Sequence, residues 1–185
     1  MPNDWRKKID IPQDKLKEKS TLLGTNAFYT QLLLSRGIET TEQAALFFNP
    51  QISDLHDPFL MQDMDLAVKR IDKALNSDEK VWIYGDYDVD GTTSVALMFS
   101  FLRQFIADID YYVPDREKEG YGLSNQAIEL AIEKKVNLII TLDCGIRSVE
   151  QIDKGKKGGI DFIFCDHHEV GESFSKAGSV YDAKR

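Results

Sequence analysis

The chain is poor in cysteine. Its two thiols, Cys144 and Cys165, are too few for a disulfide framework. Each follows an apolar run, and a plain core thiol is the simpler reading of both. No apolar run is as long as a membrane span, and the opening MPNDWRKKID lacks the apolar centre of a signal peptide. Internal repeats and low-complexity tracts are missing too. These absences count against a disulfide-stapled scaffold, a helical membrane protein and a solenoid. They lead us to expect a soluble, cytoplasmic protein without a membrane partner. Positive charge is also scarce: 23 Lys and Arg face 31 Asp and Glu, a formal net charge of −8. That deficit argues mildly against nucleic acid as a partner, because phosphates favour a basic surface. Net charge is an average, however. Carboxylates that hold cations lower the total without describing a substrate groove.

What is present suits a folded domain. The 42% hydrophobic content is ordinary for a globular chain, and 185 residues suffice for one core plus a small helical appendage. Residues 1–78 read as a helical lead-in that packs on the core. NAFYTQLLLSRGI has helical apolar spacing and stops at Gly37. TTEQAALFFNP carries Thr40 and Gln43 in capping-box spacing and stops at Asn49-Pro50. MDLAVKRIDKALN places Leu66, Ile71 and Leu75 near one face. From residue 79 the pattern alternates. VWIYG, IDYYV, NLIITLD and DFIFCD read as strands. GTTSVALMFSFLRQFI, SNQAIELAIEKK and RSVEQIDKGKK read as helices, with Ser124 a candidate N-cap and Ser148 and Gln151 in capping-box spacing. GSVYDAKR begins a further strand. Such alternation predicts an α/β fold, a parallel sheet flanked by helices, over 79–185.

The strand ends carry the chemistry. Ligands of open parallel sheets bind outside the carboxyl ends of the strands. The strand at 81–85 runs into Asp86, Asp88 and Asp90; that at 137–142 into Asp143; that at 161–165 into Asp166-His167-His168. Singly, each has a bland explanation. Asp after a strand is a common turn or cap residue, and a lone His such as His56 is usually a satisfied surface or core group. Three strands delivering Asp or His to one edge favour a metal site. An EF-hand reading of Asp86, Asp88, Asp90 and Gly91 fails, because position 12 falls on Leu97 and a strand precedes the loop. DVDGTT also looks like the nucleophile motif of haloacid-dehalogenase-type phosphatases. That motif abuts its strand, whereas Gly85-Asp86-Tyr87 intervene here.

In order and spacing, GDYDVDGTTS, TLDCGI and FCDHHE resemble the first three motifs of the DHH phosphoesterases. LLLSRGIETTEQAALFFNP, LHDPFLMQDMDLAVKRI and YYVPDREKEGYGLS look like segments of that family's single-strand-specific DNA exonucleases. The resemblance covers nearly the whole chain and implies a Rossmann-like DHH domain. It implies metal ligands at Asp88, Asp90, Asp143 and His167, with Asp143 bridging two ions, and Asp86 as a further member. It implies that His168 faces the scissile phosphate and that Asp166 holds the turn or orients an imidazole. Family relatives carry a ligand His at the position of Tyr84. Phosphodiester cleavage needs an activated water and neutralised charge, and two divalent ions about 3.5–4 Å apart supply both. Carboxylates suit Mg²⁺ and Mn²⁺, and a His ligand tilts the choice toward Mn²⁺. Gly91 and Thr92, at a helix start, are candidates to offer N–H groups to a phosphate. Arg116, Lys118 and Tyr121 are candidates for strand phosphates and base stacking, although a solvated charge run accounts for that loop equally well.

The resemblance thus implies a 5′-to-3′ single-stranded-DNA exonuclease of recombination and repair, with a single-strand-binding protein as a family-derived partner. A fourth motif and further domains would follow Arg185, so the chain is expected to be an amino-terminal piece. The alternative is a catalytically silent module that holds an ion or a partner protein.

Overall fold

The structure, a computed structural model, describes residues 10–168 and the backbone of 179–182. Two compact units emerge, Met1–His56 and Asp57–Arg185. Among its described residues the first holds three α-helices, α1 (Gln13–Leu23), α2 (Ala27–Leu34) and α3 (Thr41–Phe48). Asn26 caps α2 by accepting the Tyr29 N–H at 3.0 Å. Thr40 and Gln43 form the reciprocal capping box expected for α3. Leu16, Leu33, Leu34 and Ile38 are buried in this unit.

The second unit is built on a parallel five-stranded sheet. Its strands are β1 (Val81–Gly85), β2 (Ile109–Tyr112), β3 (Leu138–Leu142), β4 (Asp161–Asp166) and β5 (Ser179–Asp182), in the order β2-β1-β3-β4-β5. β1 shows why these runs form strands. Val81 and Ile83 point to one face, Trp82 and Tyr84 to the other, and all are buried, as a sheet covered on both sides requires. On the Val81 face lie α4 (Met64–Asn76) and α5 (Val89–Leu102), through Ala67, Ala74, Val95 and Leu102. On the Trp82 face lie α6 (Asn125–Glu133) and α7 (Val149–Lys157), through Ala127, Ile128, Ala131 and Ile152.

Two sequence expectations change. α4, grouped above with the lead-in, belongs to the sheet-bearing unit. Its buried face is Ala67 and Ala74 with Ile71 packed beside them, while Leu66 and Leu75 are exposed. Both sets have helical periodicity, and the smaller residues let the helix approach the sheet closely. Arg70 fastens α4 to the sheet, donating from Nε to Asp161 at 2.7 Å and pairing with Glu79 at 2.7 Å.

Candidate metal centre

The register of the sheet aligns the chemistry. Gly85 pairs with Leu142, and Leu142 pairs with Cys165. The next residue on each strand is an aspartate: Asp86, Asp143 and Asp166. The chain passes from β1 to β2 at one side of the sheet and from β3 to β4 at the other, so the direction of winding reverses between the adjacent strands β1 and β3. The crevice of such a reversal is where open α/β sheets place their ligands.

Each aspartate meets a different environment. Asp143 adopts φ of 60°, a left-handed conformation few non-glycine residues take. Its N–H donates to the Cys165 carbonyl at 2.9 Å, and its Oδ1 lies 3.0 Å from His167 Nε2. Burial and the nearby Asp88 charge raise its pKa, against the opposing pull of His167 and His168. Asp86 is buried, and its Oδ1 has no hydrogen-bond partner. Burial, with Asp88 adding to it, raises its pKa as well. Asp166 is fully engaged. Its Oδ1 accepts the N–H groups of His167 (2.8 Å) and His168 (3.0 Å) and lies 2.7 Å from His168 Nδ1. Its Oδ2 accepts the Ile146 N–H at 3.1 Å. Burial pushes this carboxyl up, but the donors outweigh it and leave its pKa lowered. Asp166 therefore builds the turn that presents both imidazoles.

Asp143, His167 and His168 each offer a ligand atom, all within 4.8 Å of one another. Asp88 and Asp90 approach from α5. The helix starts earlier than the sequence suggests, with Asp88 as N-cap and its Oδ1 accepting the Gly91 N–H at 2.9 Å. Gly91 is required here, because a Cβ would lie 2.4 Å from the Asp86 carbonyl oxygen. Asp90 lines a cleft shared with Asp143 and His167. A partnerless buried carboxylate oxygen, two carboxyls raised by burial and by the nearby Asp88 charge, and an oxygen-rich donor set with imidazoles all fit a divalent cation.

The nucleic-acid candidates fare unevenly. The Thr92 N–H and hydroxyl both donate to the Asp88 carbonyl, at 2.9 and 2.6 Å. The Gly91 N–H is used by Asp88 in the same way. Lys118 pairs with Asp115 at 3.2 Å. Arg116 lies over the Tyr87 ring, 5.2 Å from its centroid, where its charge also reaches Asp86. The Tyr121 hydroxyl sits 3.2 and 3.3 Å from the two ring nitrogens of His168. Tyr121 is therefore tied to the centre itself. The thiols are as expected: Cys144 is buried, and burial raises the Cys165 pKa to about 11.

Sequence reasoning missed what holds the loop before α6. Glu119 accepts from the Tyr112 hydroxyl at 2.9 Å, the Asp115 N–H at 2.8 Å and the Ser124 hydroxyl. It sits in the run PDREKEG, where nothing distinguishes it from its charged neighbours. Ser148 does not cap α7 by its side chain, as its spacing suggested. Its hydroxyl accepts the Leu123 N–H at 3.2 Å and joins this loop to the one after β3.

Fold and site define a Rossmann-like α/β domain with a carboxylate–imidazole centre at its sheet switch point. The family model "DHH family, N-terminal domain" matches residues 80–185, and the chain belongs to the DHH family. Within that family it is similar to the single-stranded-DNA-specific exonuclease RecJ of Bacillus subtilis, 40% identical over 94% of this chain and 22% of that protein. The RecJ of Haemophilus influenzae is 34% identical over 81% of this chain and 26% of its own length. Among solved structures, exonuclease RecJ bound to manganese superposes with a TM-score of 0.62 at 28% identity, covering 67% of this chain and 32% of that one. RecJ of Thermus thermophilus in complex with Mn²⁺ reaches 0.70 at 21% identity, over 94% and 24%, which shows the shared fold. The chain thus spans about a quarter of the length of the curated relatives it matches. The phosphatase alternative falls with the family assignment.

Proposed function

We propose that this chain is the metal-holding catalytic part of a 5′-to-3′ exonuclease acting on single-stranded DNA in recombination and repair. The observation that carries the reading is the clustering of Asp143, His167 and His168 beside Asp86, with Asp88 and Asp90 reaching in from α5. The relatives named above support the substrate, and the manganese-bound neighbour supports the cation. In this reading Asp88, Asp90, Asp143 and His167 hold Mn²⁺ or Mg²⁺, two ions in all, and Asp86 completes the shell. When bound, such ions neutralise phosphate charge and ease deprotonation of the attacking water. His168, oriented by Asp166 and Tyr121, meets the scissile phosphate as donor. Arg116 and Lys118 attract the strand's phosphates, and the exposed Tyr121 ring offers a base an edge to pack against. A single-strand-binding protein is the proposed protein partner, on family resemblance.

Calorimetric titration with Mn²⁺, on the chain and on Asp143→Ala, tests the site, and digestion of an end-labelled single strand tests the activity. We expect binding that Asp143→Ala abolishes, together with cleavage from the 5′ end. Mn²⁺ binding without cleavage would favour the catalytically silent module. No binding to the unaltered chain would remove the metal centre itself.

A further inference from the structure

Between α4 and α5 lies a cleft of about 420 Å³, a volume usual for small-molecule sites. It adjoins the metal centre, since Asp90, Asp143 and His167 form part of its lining. Its inner wall is apolar, with Met61, Met64 and Val68 on one side and Met98 on the other. Ile140 and Ile163 of the sheet also line it.

The α5 wall is graded. Asp90, Ser94 and Met98 follow at intervals of four residues, on one helical face about 12 Å long. Along it the chemistry passes from carboxylate through hydroxyl to thioether. A matching ligand is anionic at one end, where cations bridge it to the carboxylates, polar in the middle and apolar at the far end. A nucleotide has that order: phosphate, sugar, base. Thioethers are polarizable, fit aromatic faces well and adapt to differing shapes. A methionine-lined wall would accept any of the four bases without reading their edges.

We propose that this cleft receives the nucleobase of the nucleotide whose phosphate sits on the metal centre. The proposal rests on the functional reading above and adds where the base goes and why its identity matters little.

The chain has four methionines, and three of them line the cleft. With methyl-¹³C-methionine labelling, Met61, Met64 and Met98 report on the cleft. Two probes separate base from phosphate: deoxyadenosine monophosphate and 2-deoxyribose 5-phosphate. Shifts are read with Mg²⁺, and ³¹P relaxation with Mn²⁺ reports whether each phosphate reaches the centre. We expect both phosphates to relax, only the nucleotide to shift the three methyls, and the nucleotide to bind about tenfold more tightly. Val68→Trp, which fills the cleft, should bring the nucleotide's affinity close to that of the sugar phosphate. Relaxation of both phosphates with equal affinities and unmoved methyls would overturn the cleft while leaving the metal centre standing. If neither phosphate relaxes, the functional reading fails and the cleft proposal fails with it.

Discussion

Asp166 shows what a single residue contributes. Its side chain is almost fully buried and accepts three backbone N–H groups as well as pairing with His168. Removing it leaves those donors without a partner in a desolvated turn. Asp166→Ala should therefore cost about 2–4 kcal/mol in urea unfolding and weaken Mn²⁺ binding. Asp166→Asn, which keeps an acceptor oxygen, should lose less of both. A stability loss without any change in Mn²⁺ affinity would show that the turn does not set the imidazoles. The Asp-His-His turn and the supporting role of this aspartate were visible in the sequence. The unusual backbone of Asp143 and the partnerless oxygen of Asp86 were not, because they arise only when neighbouring strands come into register.

Among the elements, strands and helices were largely legible because their apolar periods differ and Pro, Gly and capping residues mark their ends. Helix faces were less so. Leu66 and Leu75 satisfy the same period as Ala67 and Ala74, and only the distance to the sheet decides between them. Loops were least legible, since their hydrogen bonds join residues without any period. The segment before α6 depends on Glu119, whose pKa is lowered. Burial pushes it up, but hydrogen bonds from Ser124, Asp115 and Tyr112 outweigh that. A lowered carboxyl stabilises the fold above its unfolded value and loses that contribution as pH falls through the folded one. Glu119→Gln should cost about 1–3 kcal/mol at pH 7, because hydrogen bonds to a charged acceptor are the stronger kind. The difference from the unaltered chain should shrink below about pH 4.3. Urea titrations at pH 7 and in steps from 5 to 3 measure it. A difference that is constant across this range would assign the loss to shape rather than to charge.

For the molecule as a whole, the acidic balance that argued against nucleic acid has a local counterpart. Asp88 repels both Asp86 and Asp143 at one sheet edge, and Asp166 adds to the field at Asp143. The fold brings these charges together, so without a cation the centre works against stability. A ligand that binds only the folded state stabilises it in proportion to the logarithm of its excess over Kd. Mn²⁺ at about a hundred times its Kd should add about 2.7 kcal/mol for each site it fills, and one filled site in a chain of this size raises Tm by about 5–10 °C. A chelator should reverse the rise. Asp143→Asn separates the two effects, because asparagine tolerates a left-handed backbone and keeps an acceptor for His167 while removing one repelling charge. That variant should match or exceed the metal-free Tm of the unaltered chain and lose most of its response to Mn²⁺. Scanning calorimetry with and without Mn²⁺ measures both quantities. An Asp143→Asn chain that is less stable without metal, or that responds to Mn²⁺ as strongly as the unaltered chain, would mean that the charge at Asp143 serves the fold rather than the cation.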